Sequence, residues 1–230
     1  MSRLRRLDEG LFVVDGPERV AGLRIGARMT VVRLDDGRLL LHSPVPRDDG
    51  LAAELEALGP IAFLVAPNEL HHRWLGPWAA ACPGATVWGV AGLSEKRPDL
   101  LFHRQLGDRP PTDWAGELDQ VRIAGVPYLN EVAFLHRTSA SLLLTDFAMN
   151  FPSLPEGPGT RLWLRAMGLG GGLRTSRLIR ALVRDRAALR AALGRVLAWR
   201  FDRIVVCHGD VLATGGAEAL REAWRPLLGG

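Results

Sequence analysis

Three polar clusters begin where an apolar run stops. His71 and His72 follow 61-IAFLV-65, Asp146 follows 142-LLLT-145, and His208 follows 204-IVVC-207. Imidazole and carboxylate are ligands for zinc and for harder first-row metals such as iron or manganese. In open α/β sheets, ligand-binding groups converge in the loops beyond the strand ends. Each residue taken singly has a plainer role. A histidine after a strand is usually a hydrogen-bonded or surface group, and an aspartate there often caps a turn or helix. Adjacent histidines reach one ion only from a turn or a helix start. The chain holds six histidines, and the metal reading rests on the three clusters occurring together in this order.

Strands and helices must position these groups. The first sixty residues read as β structure, with strands at 11-LFVV-14, 29-MTVVRL-34 and 38-RLLLHS-43, the last two joined by the turn signal 35-DDG-37. A helix is expected over 48–59, starting at Asp48 or Asp49 and stopping at Gly59. The run 61-IAFLV-65 has the continuous apolar character of a buried central strand. A second helix is expected over 69–81, then a strand at 85–90 and a loop-rich stretch over 91–120. Strands return at 121–125, 131–137 and 141–146. Helices are expected at about 160–168, 174–183, 186–199 and 215–226, with a strand at 203–210 before the last. Strands in both halves, helices after each and no linker predict one α/β domain over 1–230.

Composition bounds the function classes. At 230 residues, with 47% hydrophobic and 23% charged residues, the chain has a globular composition. No apolar stretch approaches the roughly 20 residues of a membrane span. Asp8 and Glu9 stand where a signal peptide would carry its apolar run. Cys82 and Cys207 suit a reducing compartment, so a cytoplasmic location is expected. Of the 29 cationic residues only Lys96 is lysine, and eleven arginines lie between Arg161 and Arg203 against Asp185 and Asp202. Such a stretch could face nucleic acid, anionic lipid or an acidic substrate, and its plainer reading is a solvated helix face. No basic-aromatic platform accompanies it, so no nucleic-acid partner is expected.

The motifs resemble those of the metallo-β-lactamase-fold superfamily, an αββα four-layer sandwich whose ligands sit at strand ends. Its HxHxDH motif falls on 67-PNELHH-72, its bridging aspartate on 145-TD-146 and its final histidine on 208-HG-209. Pro67 and Glu69 stand in place of the leading histidines, and His71 in place of the motif aspartate. No histidine lies near Pro127, where the third motif would put one, and 42-HSPVP-46 replaces the early aspartate. APNELHH, 96-KRPDL-100 and EVAFLHR…TDFAMNF are most similar to the DUF4336 subgroup of that fold, a likeness spanning about residues 8–212.

The resemblance implies that the ligands of the first metal of a dinuclear site are gone. The second-metal set becomes His71, His72, Asp146 and His208, holding one divalent ion: zinc first, with iron or manganese as alternatives. It implies a hydrolase of a small-molecule ester, lactone, thioester or phosphoester, with Asp146 serving as both ligand and orienter of water. Arg137 or an arginine of 161–180 would be the oxyanion donor. The alternative is a non-hydrolytic metal protein of oxidoreductase type, or a binding protein on the same fold.

Other candidates carry weaker expectations. Glu69 is a first-turn glutamate before it is a ligand. His136 should pack on one face with Val132 and Phe134, His42 could orient a ligand, and His103 is a surface residue. Cys207 should point away from His208. The run 168-GLGGG-172 is expected to be a loop near the site mouth.

Overall fold

The computed structural model describes residues 3–20 and 22–229, so the ends of the expected 1–230 domain lie outside the described residues. In the N-terminal half, β1 (Arg5–Asp8), β2 (Leu11–Gly16), the small hairpin of β3 (Arg19–Val20) and β4 (Leu23–Arg24), β5 (Ala27–Arg33) and β6 (Leu39–His42) precede α1 (Asp49–Leu58). There follow β7 (Ile61–Ala66), α2 (Leu75–Ala81), β8 (Thr86–Gly89), α3 (Leu93–Lys96) and β9 (Arg104–Gln105). The C-terminal half runs β10 (Leu118–Arg122), β11 (Val132–His136), β12 (Ser141–Leu144), β13 (Met149–Phe151), α4 (Pro158–Ala166), β14 (Gly172–Arg174), α5 (Arg177–Ala181), α6 (Arg186–Leu197), β15 (Arg203–Val206) and α7 (Gly216–Leu228).

Two sheets form the centre. One has the order β1-β2-β5-β6-β7-β8-β9, antiparallel up to β6 and parallel beyond it; the other is β10-β11-β12-β15. Alternation along β11 shows how they stack. Val132 and Phe134 join the core shared with Leu41 and Val65 of the first sheet, while Ala133 and Leu135 face the core built on Leu189 and Leu193 of α6 and Trp224 of α7. Leu51 and Leu55 of α1 and Trp78 of α2 pack on the first sheet. The result is the expected α-β-β-α layering. Strands buried on both faces explain the uninterrupted apolar runs.

Local signals account for the element ends. Asp48 caps α1 by accepting the Leu51 N–H (2.9 Å), and the 35-DDG-37 turn pairs Arg33 with Leu39. The expected helix over 69–81 is shorter: residues 69–74 form turns, and α2 begins only at Leu75. Asn68 is the cause. Its Oδ1 accepts the N–H groups of Leu70 (2.9 Å) and His71 (2.8 Å), a turn that competes with helix entry. The expected helix 174–183 likewise divides into β14 and α5, the latter capped by Ser176 through the Ile179 N–H (3.1 Å). Among the described residues no helix is long and apolar enough to cross a membrane.

Candidate metal centre

Three of the four expected ligands meet at the strand ends, where the two sheets face each other. His71 Nε2 lies 3.2 Å from Asp146 Oδ2 and 3.2 Å from His208 Nε2, and His208 Nε2 lies 3.5 Å from Asp146 Oδ1. One donor atom from each falls within 4.8 Å of the others. A divalent ion with bonds of about 2.0–2.1 Å needs neighbouring donors about 2.9–3.4 Å apart; both 3.2 Å separations lie in that range, and the 3.5 Å one lies just beyond it.

Hydrogen bonds behind the rings fix their orientation. His208 Nδ1 donates to the Gly26 carbonyl (2.7 Å), which leaves its Nε2 as a lone pair facing the cluster. His71 Nδ1 contacts Ser43 Oγ at 2.7 Å. Ser43 sits at φ 55, a left-handed conformation that costs a non-glycine residue energy and is typical of functional sites. Two Nε2 atoms and a carboxylate converge in a buried place, and such a set calls for a shared cation, a proton on His71 or a metal ion in its stead. Burial works against protonation of His71, but the charge and hydrogen bond of Asp146, with the nearby Cys207 thiol, outweigh it and raise its pKa well above the ordinary value. Burial disfavours an ionised Asp146, yet His71 and His208 hold its carboxyl well below the usual carboxylate range.

Asp146 is held by residues that the sequence did not single out. Asn68 Nδ2 donates to Asp146 Oδ2 (2.7 Å) and to Thr145 Oγ1 (2.9 Å). The fully buried Glu131 accepts the N–H groups of Thr145 (2.8 Å), Asp146 (2.9 Å) and Phe147 (3.0 Å), gripping the turn that carries the Asp146 carboxylate. A single glutamate directly before the apolar stretch 132-VAFL-135 was the available signal for it. Behind His208, buried Arg28 donates to the carbonyls of Val206 (3.0 Å) and Gly209 (2.6 Å).

His72 does not join the three. Its Nδ1 lies 3.0 Å from Arg97 Nη1, and burial together with Lys96 and Arg97 lowers its pKa. Consecutive residues on this turn point apart, so only one of the pair reaches the centre. Glu69 faces Gly92, while its carbonyl accepts from Lys96 Nζ (2.7 Å). Arg137 is held by Asp119 through two bonds of 2.7 and 2.8 Å, and neither it nor an arginine of 161–180 lines the cavity at the centre. His136 is buried against Ser139 Oγ (2.7 Å), and exposed His103 accepts the Val87 N–H (3.0 Å). His42 is buried beside Phe134, and neither ring nitrogen has a partner among the described residues. Cys207 lies close to His71, because β15 ends at Val206 and strand alternation no longer governs the next residues.

The cluster lies on the wall of a cavity of about 280 Å³. Trp74, Met149, Trp163, Met167, Leu169 and Ile179 contribute an apolar lining, and the ion pair Arg73–Glu18 (2.9 Å) is its charged element. Leu169 comes from the glycine run 168–172, which therefore borders the cavity as expected.

The model of the domain of unknown function DUF4336 matches residues 9–157. No curated protein sequence matches. Among solved structures, the chain is similar to a metallo-β-lactamase from Pontibacter korlensis (12% identity, 99% of each chain, TM-score 0.66). It is similar also to the metallo-β-lactamase FIM-1 from Pseudomonas aeruginosa in the mono-zinc form (11% identity, 99% of this chain and 96% of that one, TM-score 0.64). The flavodiiron core of Flv1 from Synechocystis sp. PCC6803 shares the fold over 98% of this chain and 60% of its own (14% identity, TM-score 0.69).

Proposed function

The chain belongs to the DUF4336 family on a metallo-β-lactamase fold, and on that footing we propose that it is a mononuclear metal-dependent hydrolase of an apolar small molecule. The observation that carries this reading is the triangle of His71, Asp146 and His208 on the wall of an apolar cavity. A divalent ion held there supplies Lewis-acid polarisation of a carbonyl or phosphoryl group and water of lowered pKa. Ser43 and the Gly26 carbonyl hold the two imidazoles with their Nε2 atoms inward. Asp146 stays ionised against its burial and orients the water rather than keeping its proton. Trp74, Trp163 and Met167 exclude bulk water and take up the acyl or aryl part of an ester, lactone or thioester. The cavity lies at the small end of ligand-site volumes, which favours a small molecule over a polymer.

One observation favours a second reading. Two histidines and one carboxylate are also the ligand set of non-haem iron(II) oxygenases, which keeps an oxidoreductase open as the alternative. Metal analysis of untagged protein separates the two. About one equivalent of zinc, with turnover of p-nitrophenyl acyl esters, supports the hydrolase. Iron(II) that binds nitric oxide, without esterase activity, supports the oxygenase. Absence of metal after growth in replete medium would overturn both.

A further inference from the structure

The helices that border the cavity carry a surface the chemistry does not use. On α4, Thr160, Trp163 and Leu164 turn inward, as does Met167 at its C-cap, while Arg161, Leu162 and Arg165 face solvent. On α5, Ile179 turns inward and 177-RL-178 faces solvent. Leu162 is 71% exposed and Leu178 53%, as is Leu70 on the turn before His71. Leu70 and Leu178 line the cavity, as does Trp163, and Leu162 stands one step before Trp163 on the solvent face of the same helix. The two helices are tied together there: the Arg177 N–H donates to the Met167 carbonyl (2.8 Å) and its Nη1 to that of Ala166 (3.2 Å).

The same stretch is strongly cationic. Eight arginines and one acid, Asp185, lie between 161 and 190. Every ion pair among the described residues lies outside that stretch. A solvated helix face has no use for exposed leucines such as Leu162 and Leu178, and exposed apolar groups among cations without ion-pair partners are the features of a membrane-surface contact.

We propose that the outer faces of α4 and α5, with Leu70, form a docking surface for an anionic lipid bilayer, opening the apolar cavity towards the acyl region. The arginines meet lipid phosphates, and the leucines enter the interface between headgroups and chains. A single strand fits less well, because it calls for aromatic faces against which bases stack, and a duplex offers phosphates to the arginines but no apolar layer to the exposed leucines. Lipid binding by this surface requires no metal at the centre, so its failure and that of the hydrolase reading are distinguishable, although Leu70 and Leu178 border the same cavity.

The test is co-sedimentation of the full chain with vesicles of phosphatidylcholine, with and without phosphatidylglycerol. Binding should require phosphatidylglycerol and weaken with added salt. The paired substitution Arg161→Glu and Arg177→Glu should lower partition by at least about 25-fold, from about fivefold per arginine. Leu162→Ser with Leu178→Ser should lower it by about tenfold. All four residues are exposed, and an unchanged circular-dichroism spectrum checks the fold. Arg221→Glu on α7 should bind as the parent does. No binding to anionic vesicles, full binding by the leucine variant, or displacement from vesicles by a short DNA duplex would each overturn the proposal.

Discussion

At the residue scale, what distinguishes His71 from His72 is one step along a turn. His71 Nε2 faces Asp146 and His208, while His72 faces the Arg97 guanidinium. His71→Ala, Asp146→Asn and His208→Ala should each weaken metal affinity by 100-fold or more, roughly the upper range seen even for outer partners. His72→Ala should keep one equivalent, measured by elemental analysis after gel filtration. Glu131→Gln, which alters only the support of the 145–147 turn, should cost about 10–100-fold in affinity. His42 makes a separate prediction. Burial, with His71 nearby, lowers its pKa to about 3 from an ordinary 6.5. A folded pKa below the unfolded one gives stability that is present above pH 6.5 and is lost as pH falls towards 3. His42→Phe should therefore flatten the fall in Tm over that window, taking up about one proton fewer on unfolding. An unchanged slope would refute it.

At the element scale, the centre depends on three strand-end turns whose backbones are held from behind. Gly209 adopts φ +87, and a Cβ there would collide with the Asn150 carbonyl oxygen. That carbonyl also accepts the Asp210 N–H (2.7 Å), while the Asn150 N–H donates to the His208 carbonyl (3.1 Å). Gly209→Ala must move this turn, and His208 with it. We expect a loss of about 2–4 kcal/mol in denaturant unfolding together with loss of metal. Parent-like stability would show that the turn has slack. The start of α1 was readable for the converse reason: Asp48 caps a group only three residues on, so its signal is local, whereas the cap at Ser176, equally local, was passed over for a helix beginning at 174. The turn at Asn68 was not read, since the same residue type serves helix caps and helix-delaying turns alike.

At the scale of the molecule, the proposed ligands come from both sheets, His71 from the loop after β7 and Asp146 and His208 from the ends of β12 and β15. An ion bound there joins the two halves and binds the folded state only. Saturating metal should raise Tm by roughly 5–10 °C at about 100 times Kd, and His208→Ala should abolish the rise, as scanning calorimetry would show. Phe134, fully buried between the sheets, should cost about 3–5 kcal/mol as Phe134→Ala in denaturant unfolding.

The layered fold was legible because continuous apolar runs such as 61-IAFLV-65 and 142-LLLT-145 require burial on both faces, and only stacked layers provide it. The clusters at the strand ends were legible too, as residue types in an order. Which members converge was decided by tertiary structure alone. His71 and His208 are 137 positions apart, and the direction of each ring is set by partners as distant as Ser43 and Gly26. The buried Glu131 and the cavity wall from α4 and α5 depend on the same long-range packing. Pattern along a chain reports which residues must be buried; their aim is a property of contacts between segments the pattern does not connect.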